Sequence, residues 1–297
     1  MSAYKRLLFI VNPHAGVKKK DSALSDIILT FSDHYYETIV CFTREPGDAE
    51  TLIREHAGEE FDRIVCMGGD GTLSEVIGGC RKYAMNIPMG YIPAGSTNDF
   101  AQSLQLPMEP AEAAERIMKG KPHKLDVGMW EERQFVYTAS CGLFTRASYD
   151  TPQKVKNVLG HAAYVLEGMR ELTQVRSYHM QITAGERTFE DNYLFVTICN
   201  TISLGGVMDL SRAEVNFSDG LFELLLIPMP RDLIQLTQIV NALREQRFDT
   251  PLVTFIKTER VVIKCPEKPD WSLDGEKAEG KETVEIRVVP GGISMFY

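Results

Sequence analysis

A carboxylate stands inside a glycine run: Cys66-Met67-Gly68-Gly69-Asp70-Gly71-Thr72-Leu73-Ser74-Glu75. Glycine-rich turns after an apolar strand cradle phosphate, because glycine lets the backbone approach closely and the next helix N-terminus offers N–H donors. An aspartate in that turn repels the phosphate, by roughly 1 kcal/mol at about 4 Å in water and by more at lower dielectric. A divalent cation between the two charges removes the conflict, which is the chemistry of a magnesium nucleotide. An ordinary Asp-Gly turn accounts for the same residues. The run is not a P-loop, because G-x-x-x-x-G-K-[ST] is absent. It is not a full dinucleotide fingerprint either, since Ser74 stands where a third glycine is expected.

Two further loops have the same character. Asn12-Pro13-His14-Ala15-Gly16 runs into Lys18-Lys19-Lys20, and Ile92–Ala101 reads IPAGSTNDFA. The elements that must position them come from the periodicity. Apolar runs at Leu7–Val11, Thr38–Phe42, Ile64–Met67 and Met89–Ile92 predict strands. Between them, Asp21–Phe31, Asp48–His56, Thr72–Lys82 and Ser96–Leu104 have helical spacing, and Ala111–Lys119 follows. Thr72 and Ser96 are placed to cap their helices. Strands alternating with helices predict a parallel sheet covered on both faces, with all three loops along one edge, outside the carboxyl ends of the strands.

After Lys121-Pro122 the pattern changes to strands and hairpins, interrupted by helical stretches at His161–Gln174 and Asp232–Arg244. This half predicts an antiparallel β-sandwich. In the first of these helices the apolar stripe of Ala162, Val165, Leu166, Met169 and Leu172 reads as core.

The 297 residues allow two ordinary domains, and the net charge of −9 argues against a nucleic-acid partner, which needs a basic face. Cys41, Cys66, Cys80, Cys141, Cys199 and Cys265 form no C-x-x-C pair and read as reduced thiols. The histidines show no metal-ligand spacing. The start of the chain shows no secretory pattern and no apolar run is long enough to span a bilayer, so a cytoplasmic protein is expected.

The set N-P-x-A-G, G-G-D-G-T and P-x-G-[ST]-x-N-D resembles the diacylglycerol kinase catalytic-domain family. That family includes sphingosine and ceramide kinases and is a distant relative of NAD kinases and phosphofructokinases. Asp126-Val127-Gly128, Asp150–Gly160, Asn200 with Gly205 and Gly206, Ser218–Leu224 (SDGLFEL) and Leu273–Glu276 (LDGE) continue the resemblance in order over nearly the whole chain. It is closest to the soluble bacterial diacylglycerol kinases. Ser74 and Ser96 stand where the family commonly has Asn and Thr, and neither change removes a charge.

The resemblance implies an N-terminal three-layer α/β domain of the NAD kinase and phosphofructokinase type, residues 1–123 with a returning strand at 287–297, and a C-terminal antiparallel β-sandwich at 124–286. It implies ATP contacts from Asn12, Pro13 and Gly16 in the first loop, where one of Lys18, Lys19 and Lys20, Lys18 first among them, is the candidate phosphate contact. In the second they come from Gly68, Gly69, Asp70, Gly71, Thr72 and Glu75, and in the third from Gly95, Ser96, Thr97 and Asn98. Asp70, Asp99 and Asp126 correspond to aspartates that hold the nucleotide Mg2+ through water. Glu276 corresponds to the general base, with Asp274 orienting its turn. Asp219, with the backbone carbonyls of Asn216 and Leu221, corresponds to a structural Mg2+ site. The expected reaction is transfer of the γ-phosphoryl group of Mg-ATP to a lipid hydroxyl, most readily that of diacylglycerol. The enzyme would meet the inner membrane face transiently, and a homodimer is compatible with the resemblance. An NAD-kinase-like activity, a kinase for another lipid such as phosphatidylglycerol, and a silent lipid- or nucleotide-binding regulator are the rival readings.

Overall fold

The computed structural model describes residues 4–15, 21–96, 98–143, 176–201, 203–204, 208–209 and 215–297. Gly16, Lys18, Thr97, Gly205, Gly206, Asp150–Gly160 and the predicted helix His161–Gln174 lie outside the described residues. The chain divides into two compact units, Met1–Leu125 with Gly291–Tyr297, and Asp126–Pro290.

Unit 1 contains β1 (Lys5–Val11), α1 (Asp21–Asp33), β2 (Tyr36–Phe42), α2 (Asp48–Glu55), β3 (Arg63–Gly68), α3 (Asp70–Lys82), β4 (Met89–Pro93), α4 (Asp99–Ser103) and α5 (Pro110–Lys119). β1 pairs in parallel with β2 on one side and β3 on the other, and β3 pairs in parallel with β4. β1, β3 and β4 are apolar over most of their length because both faces are covered, while the edge strand β2 carries Glu37 and leaves Phe42 46% exposed. Leu7, Phe9 and Val11 pack with Ile27 and Phe31 of α1 and with Ala113, Ile117 and Met118 of α5. The alternate residues Leu8, Ile10, Ile64 and Cys66 are equally buried. α2 and α3 lie close enough that a Cβ on Gly79 would sit 3.0 Å from Ile53. The chain leaves β1 toward β2 but leaves β3 toward β4. The point where the direction reverses is therefore between the carboxyl ends of β1 and β3, where ligands bind in sheets of this kind.

Two predicted helix starts are corrected. α3 begins at Asp70 with Gly69 as N-cap, and α4 begins at Asp99 with Asn98 as N-cap, in neither case with a side-chain capping bond. Thr72 therefore lies within the first turn of α3, and neither it nor Ser96 is a cap.

Unit 2 begins within β5 (Pro122–Trp130) and continues through β6 (Arg133–Phe135), β7 (Thr138–Gly142), β8 (Tyr178–Ala184), β9 (Arg187–Cys199), β10 (Ser203–Leu204), β11 (Met208–Asp209) and β12 (Phe222–Pro228). Then come α6 (Leu233–Arg244), β13 (Asp249–Thr250), β14 (Val253–Thr258), β15 (Arg260–Lys264), β16 (Trp271–Leu273), β17 (Glu276–Ala278) and β18 (Thr283–Phe296). The pairings are antiparallel: β8 with β9, β9 with β12, β12 with β14, β15 with β8, and β7 with both β9 and β16. Alternation along β12 builds two cores. Phe222, Leu224 and Leu226 join Phe135, Ile182 and Trp271, while Leu225 and Ile227 pack against Ile239, Ala242 and Leu243 of α6. Asp232 starts α6 by accepting from the Gln235 N–H at 2.8 Å. This is the antiparallel β-sandwich expected from the hairpin pattern. β18 pairs with β15 over Thr283–Arg287, and its far end, Met295, pairs in parallel with Met89 of β4.

Candidate active site

In unit 1 the three signature loops meet at the switch point. The Asn12 N–H donates to the Met67 carbonyl at 2.8 Å, and the Asn12 Nδ2 donates to Thr72 Oγ1 at 2.9 Å. Asn12 Oδ1 accepts from the His14 N–H at 3.0 Å, an Asx turn that folds the Asn-Pro-His segment back on itself. The second and third loops touch backbone to backbone: a Cβ on Gly95 would lie 2.7 Å from the Gly69 Cα, and one on Gly69 would lie 3.3 Å from the Gly95 Cα. Gly95 N–H donates to Asn98 Oδ1 at 2.8 Å, and Asn98 Nδ2 returns to the Gly95 carbonyl at 2.9 Å. That clasp needs Asn98 at φ 52, a left-handed conformation that asparagine tolerates. Beneath it, the buried Tyr91 hydroxyl donates to the Gly68 carbonyl at 3.2 Å and lies 3.4 Å from Asn98 Oδ1. Burial, and then the nearby Asp70, hold the Tyr91 phenol well above its usual range, so it stays a donor.

The outcome sets one carboxylate against the backbone of the next acidic residue. Asp70 Oδ2 accepts from the Asp99 N–H at 3.3 Å, and Asp99 is 5% exposed. The oxygen-only chemistry of these carboxylates fits Mg2+. The first turn of α3 leaves N–H groups without intrahelical acceptors, which suits phosphate oxygens. Glu75, placed by the resemblance among the nucleotide contacts, also braces a neighbouring helix. Its carboxylate accepts from Gly47 N–H at 2.9 Å and Ala49 N–H at 3.2 Å, holding the start of α2. Burial pushes the thiols of Cys66 and Cys80 up, Cys80 to about 12, so neither is a nucleophile at neutral pH.

The glycines therefore differ in kind. Gly95→Ala would drive a Cβ into the Gly69 backbone, whereas a Cβ on Gly71 meets nothing within 4 Å. Gly95→Ala is expected to cost about 1–3 kcal/mol of stability and to weaken nucleotide binding, while Gly71→Ala leaves stability unchanged or raised. Thermal unfolding and nucleotide titration of the two variants check this; equal effects would mean that the loop contact is not what Gly95 is for.

In unit 2, Asp274 and Gly275 form a two-residue hairpin turn between β16 and β17, both with positive φ (49 and 91). Asp274 is 4% exposed, and its carboxylate accepts from the Val136, Tyr137 and Thr138 N–H groups at 2.6, 3.0 and 3.0 Å. The turn is thus fixed to the β6–β7 connection, and Glu276 projects from the first position of β17, 3.7 Å from Arg133. Asp126 is anchored by its backbone and its side chain. Its N–H donates to the Phe217 carbonyl at 2.8 Å, and its Oδ2 accepts from Gly220 N–H at 2.7 Å.

The Asp219 loop is held by its own side chains. Asn216 Oδ1 accepts from Ser218 N–H at 3.1 Å, and Asp219 Oδ1 accepts from Leu221 N–H at 3.1 Å. Asp219 Oδ2 takes a hydrogen bond from Lys257 Nζ at 3.1 Å. Sequence reasoning passed over Glu223, the lone charge in the apolar run Phe222–Pro228, although that isolation was the available signal. Burial pushes its carboxyl up to about 8, against the opposing charge of Lys257.

Residues 6–130 match the family described as diacylglycerol kinase catalytic domain, and residues 138–297 match the YegS C-terminal NAD kinase beta sandwich-like domain. The diacylglycerol kinase of Bacillus subtilis (strain 168) is 32% identical over 274 residues, covering 92% of this chain and 90% of that protein. The chain belongs to the diacylglycerol kinase family. The Staphylococcus carnosus (strain TM300) diacylglycerol kinase is 30% identical over 92% of this chain and 89% of its own length. Two crystal structures from Bacillus anthracis str. Sterne share the fold. One has a TM-score of 0.81 at 24% identity, covering 100% of this chain and 96% of the other. The second has a TM-score of 0.77 at 22% identity, covering 100% and 98%. As a member of that family the protein is a lipid kinase, and among its described residues no helix is long and apolar enough to cross a membrane.

Proposed function

We propose that this lipid kinase transfers the γ-phosphoryl group of Mg-ATP to the hydroxyl of diacylglycerol, giving phosphatidic acid. The observation that carries the reading is the convergence of the three loops at the switch point. There the Gly69–Gly95 contact and the Asn98 clasp set the Asp70 carboxylate beside the Asp99 N–H. Asp70 and Asp99 are the residues of unit 1 that would hold the nucleotide's Mg2+. When bound, the ion offsets charge on the phosphoryl oxygens. Asp126 belongs to the same set through the resemblance. Asn12 and Thr72, tied to each other, and the N–H groups at the N-terminus of α3 bind and orient the phosphates. Phosphoryl transfer needs little covalent help from the protein, so positioning is the main contribution.

Glu276 takes the proton from the lipid hydroxyl as it attacks. Asp274 positions it, because the hairpin turn that presents Glu276 is held by three backbone hydrogen bonds. With diacylglycerol as acceptor the enzyme works at a membrane surface, which it meets from the cytoplasmic side without spanning it.

The test is transfer of a radiolabelled γ-phosphate to a panel of lipids in mixed micelles, with Mg2+ present or chelated. Mg2+-dependent labelling of diacylglycerol is expected. Labelling of phosphatidylglycerol or a sphingoid base alone would replace the acceptor, and labelling of NAD with no lipid labelled would overturn the assignment. Glu276→Gln is expected to lower turnover by about a hundredfold or more and to leave Mg-ATP affinity unchanged; a lost nucleotide affinity would reassign Glu276 to binding.

A further inference from the structure

Two carboxylates of unit 2 converge on one point. Asp219 lies in the loop before β12, and Glu223 is the second residue of that strand. Register places Glu223 directly between Cys199 of β9 and Lys257 of β14. Neighbours paired across strands project on the same face, so the three side chains share one side of the sheet. It is the side on which Leu225 and Ile227 pack against α6, and a leucine at 223 would continue their alternation. The Glu223 side chain is 0% exposed, and neither carboxylate oxygen accepts a hydrogen bond. A buried acid in that state costs free energy that the local fold does not recover.

Among the described residues, the cation near both acids is Lys257. Its Nζ lies 3.1 Å from Asp219 Oδ2 and 3.7 Å from Glu223 Oε1. The second distance is an ion pair without a hydrogen bond, so the ammonium serves Asp219 well and Glu223 poorly. The Lys257 side chain is 34% exposed, enough for its flexible stem to withdraw toward solvent. A divalent ion at the same point would be offered two carboxylates where the ammonium now stands, in an oxygen-only setting of the kind that Mg2+ takes.

We propose that Asp219 and Glu223 form a cation seat that Lys257 fills from within the chain, and that Mg2+ enters it only by displacing the Lys257 ammonium, with Glu223 as a second carboxylate ligand. The ammonium and the ion exclude each other, because both cannot stand within 4 Å of the same two acids without strong repulsion. Lys257 is then an internal competitor that raises the Mg2+ concentration needed to occupy the loop. The inference is independent of the reaction and of the acceptor lipid, since the seat lies in unit 2 and is read through stability.

The experiment is thermal unfolding of the full chain titrated with Mg2+, without nucleotide, for the wild type and Lys257→Met. Removing the competitor should lower the half-saturating Mg2+ concentration by at least about fivefold. Adding Glu223→Gln to Lys257→Met should raise it again, and in an Asp219→Ala background Lys257→Met should have no effect on the Mg2+ response. A Lys257→Met protein that folds in Mg2+ and unfolds on chelation, where the wild type survives, would also support the proposal. Equal responses of wild type and Lys257→Met overturn it. So does a Lys257→Met protein that cannot be recovered folded even in Mg2+, because the ion should then replace the ammonium.

Discussion

Asp70→Asn is expected to lower lipid phosphorylation by at least about a hundredfold while leaving the fold intact. The substitution is nearly isosteric, and the asparagine carbonyl can still accept from the Asp99 N–H that now donates to Asp70 Oδ2 at 3.3 Å. Neither the Gly69–Gly95 contact nor the Asn98 clasp involves the lost charge. What disappears is the negative charge of Asp70, and with it part of the attraction for a hard divalent ion. The Mg2+ concentration for half-maximal rate should therefore rise along with the fall in turnover. Steady-state rates across a Mg2+ titration, beside a thermal unfolding curve, separate the outcomes. Near-wild-type turnover with an unchanged Mg2+ profile would remove Asp70 from the metal set. A large fall in unfolding temperature would make its role structural.

Asp274→Ala is expected to have the largest effect on stability. The carboxylate is buried and accepts three successive backbone N–H groups, from Val136, Tyr137 and Thr138. Truncation leaves those donors in a site from which water is largely excluded, at a cost of at least about 3 kcal/mol. For a unit of this size that is roughly 6–12 °C of unfolding temperature. Activity should fall with it, because the same bonds hold the turn that presents Glu276. Asp274→Asn keeps one acceptor oxygen and should recover part of the stability. Calorimetry of the two variants is decisive: an Asp274→Ala protein as stable as the wild type would mean that the β6–β7 connection is held by other contacts.

The parallel sheet of unit 1 was legible because its inner strands are apolar on both faces and its strands are separated by helical spacing, and the hairpins of unit 2 because their apolar residues alternate. Helix starts were less legible. The sequence offers Thr72 and Ser96 as caps, but α3 starts at Asp70 and α4 at Asp99, because the Gly69–Gly95 contact fixes where each chain turns. That contact joins residues far apart in sequence, and no local preference encodes it. The bracing contacts of Glu75 were unread for the same reason: the Gly47 and Ala49 N–H groups belong to the start of another helix, far away in sequence. Glu223 went unread although its isolation in an apolar run was a signal, and Lys257 because the acids it faces lie on another strand and the loop before it. Asp99, Asp219 and Glu276 were singled out through motif resemblance and Asp70 first through the charge inside its glycine turn, none of them through periodicity.

One feature of the topology bears on how the chain acquires its structure. Unit 1 is closed by β18, whose Met295 pairs with Met89 and whose Phe296 ring, in the unit 1 core, lies 4.0 Å from the Arg63 guanidinium. Those residues follow the whole of unit 2 in sequence. During synthesis unit 1 must therefore wait, with one sheet edge and part of its core unfilled, until about 165 further residues have emerged, which takes roughly 8–33 s at ribosomal rates. Unit 2 is continuous in sequence and can fold first. The half of the molecule that is made first is finished last.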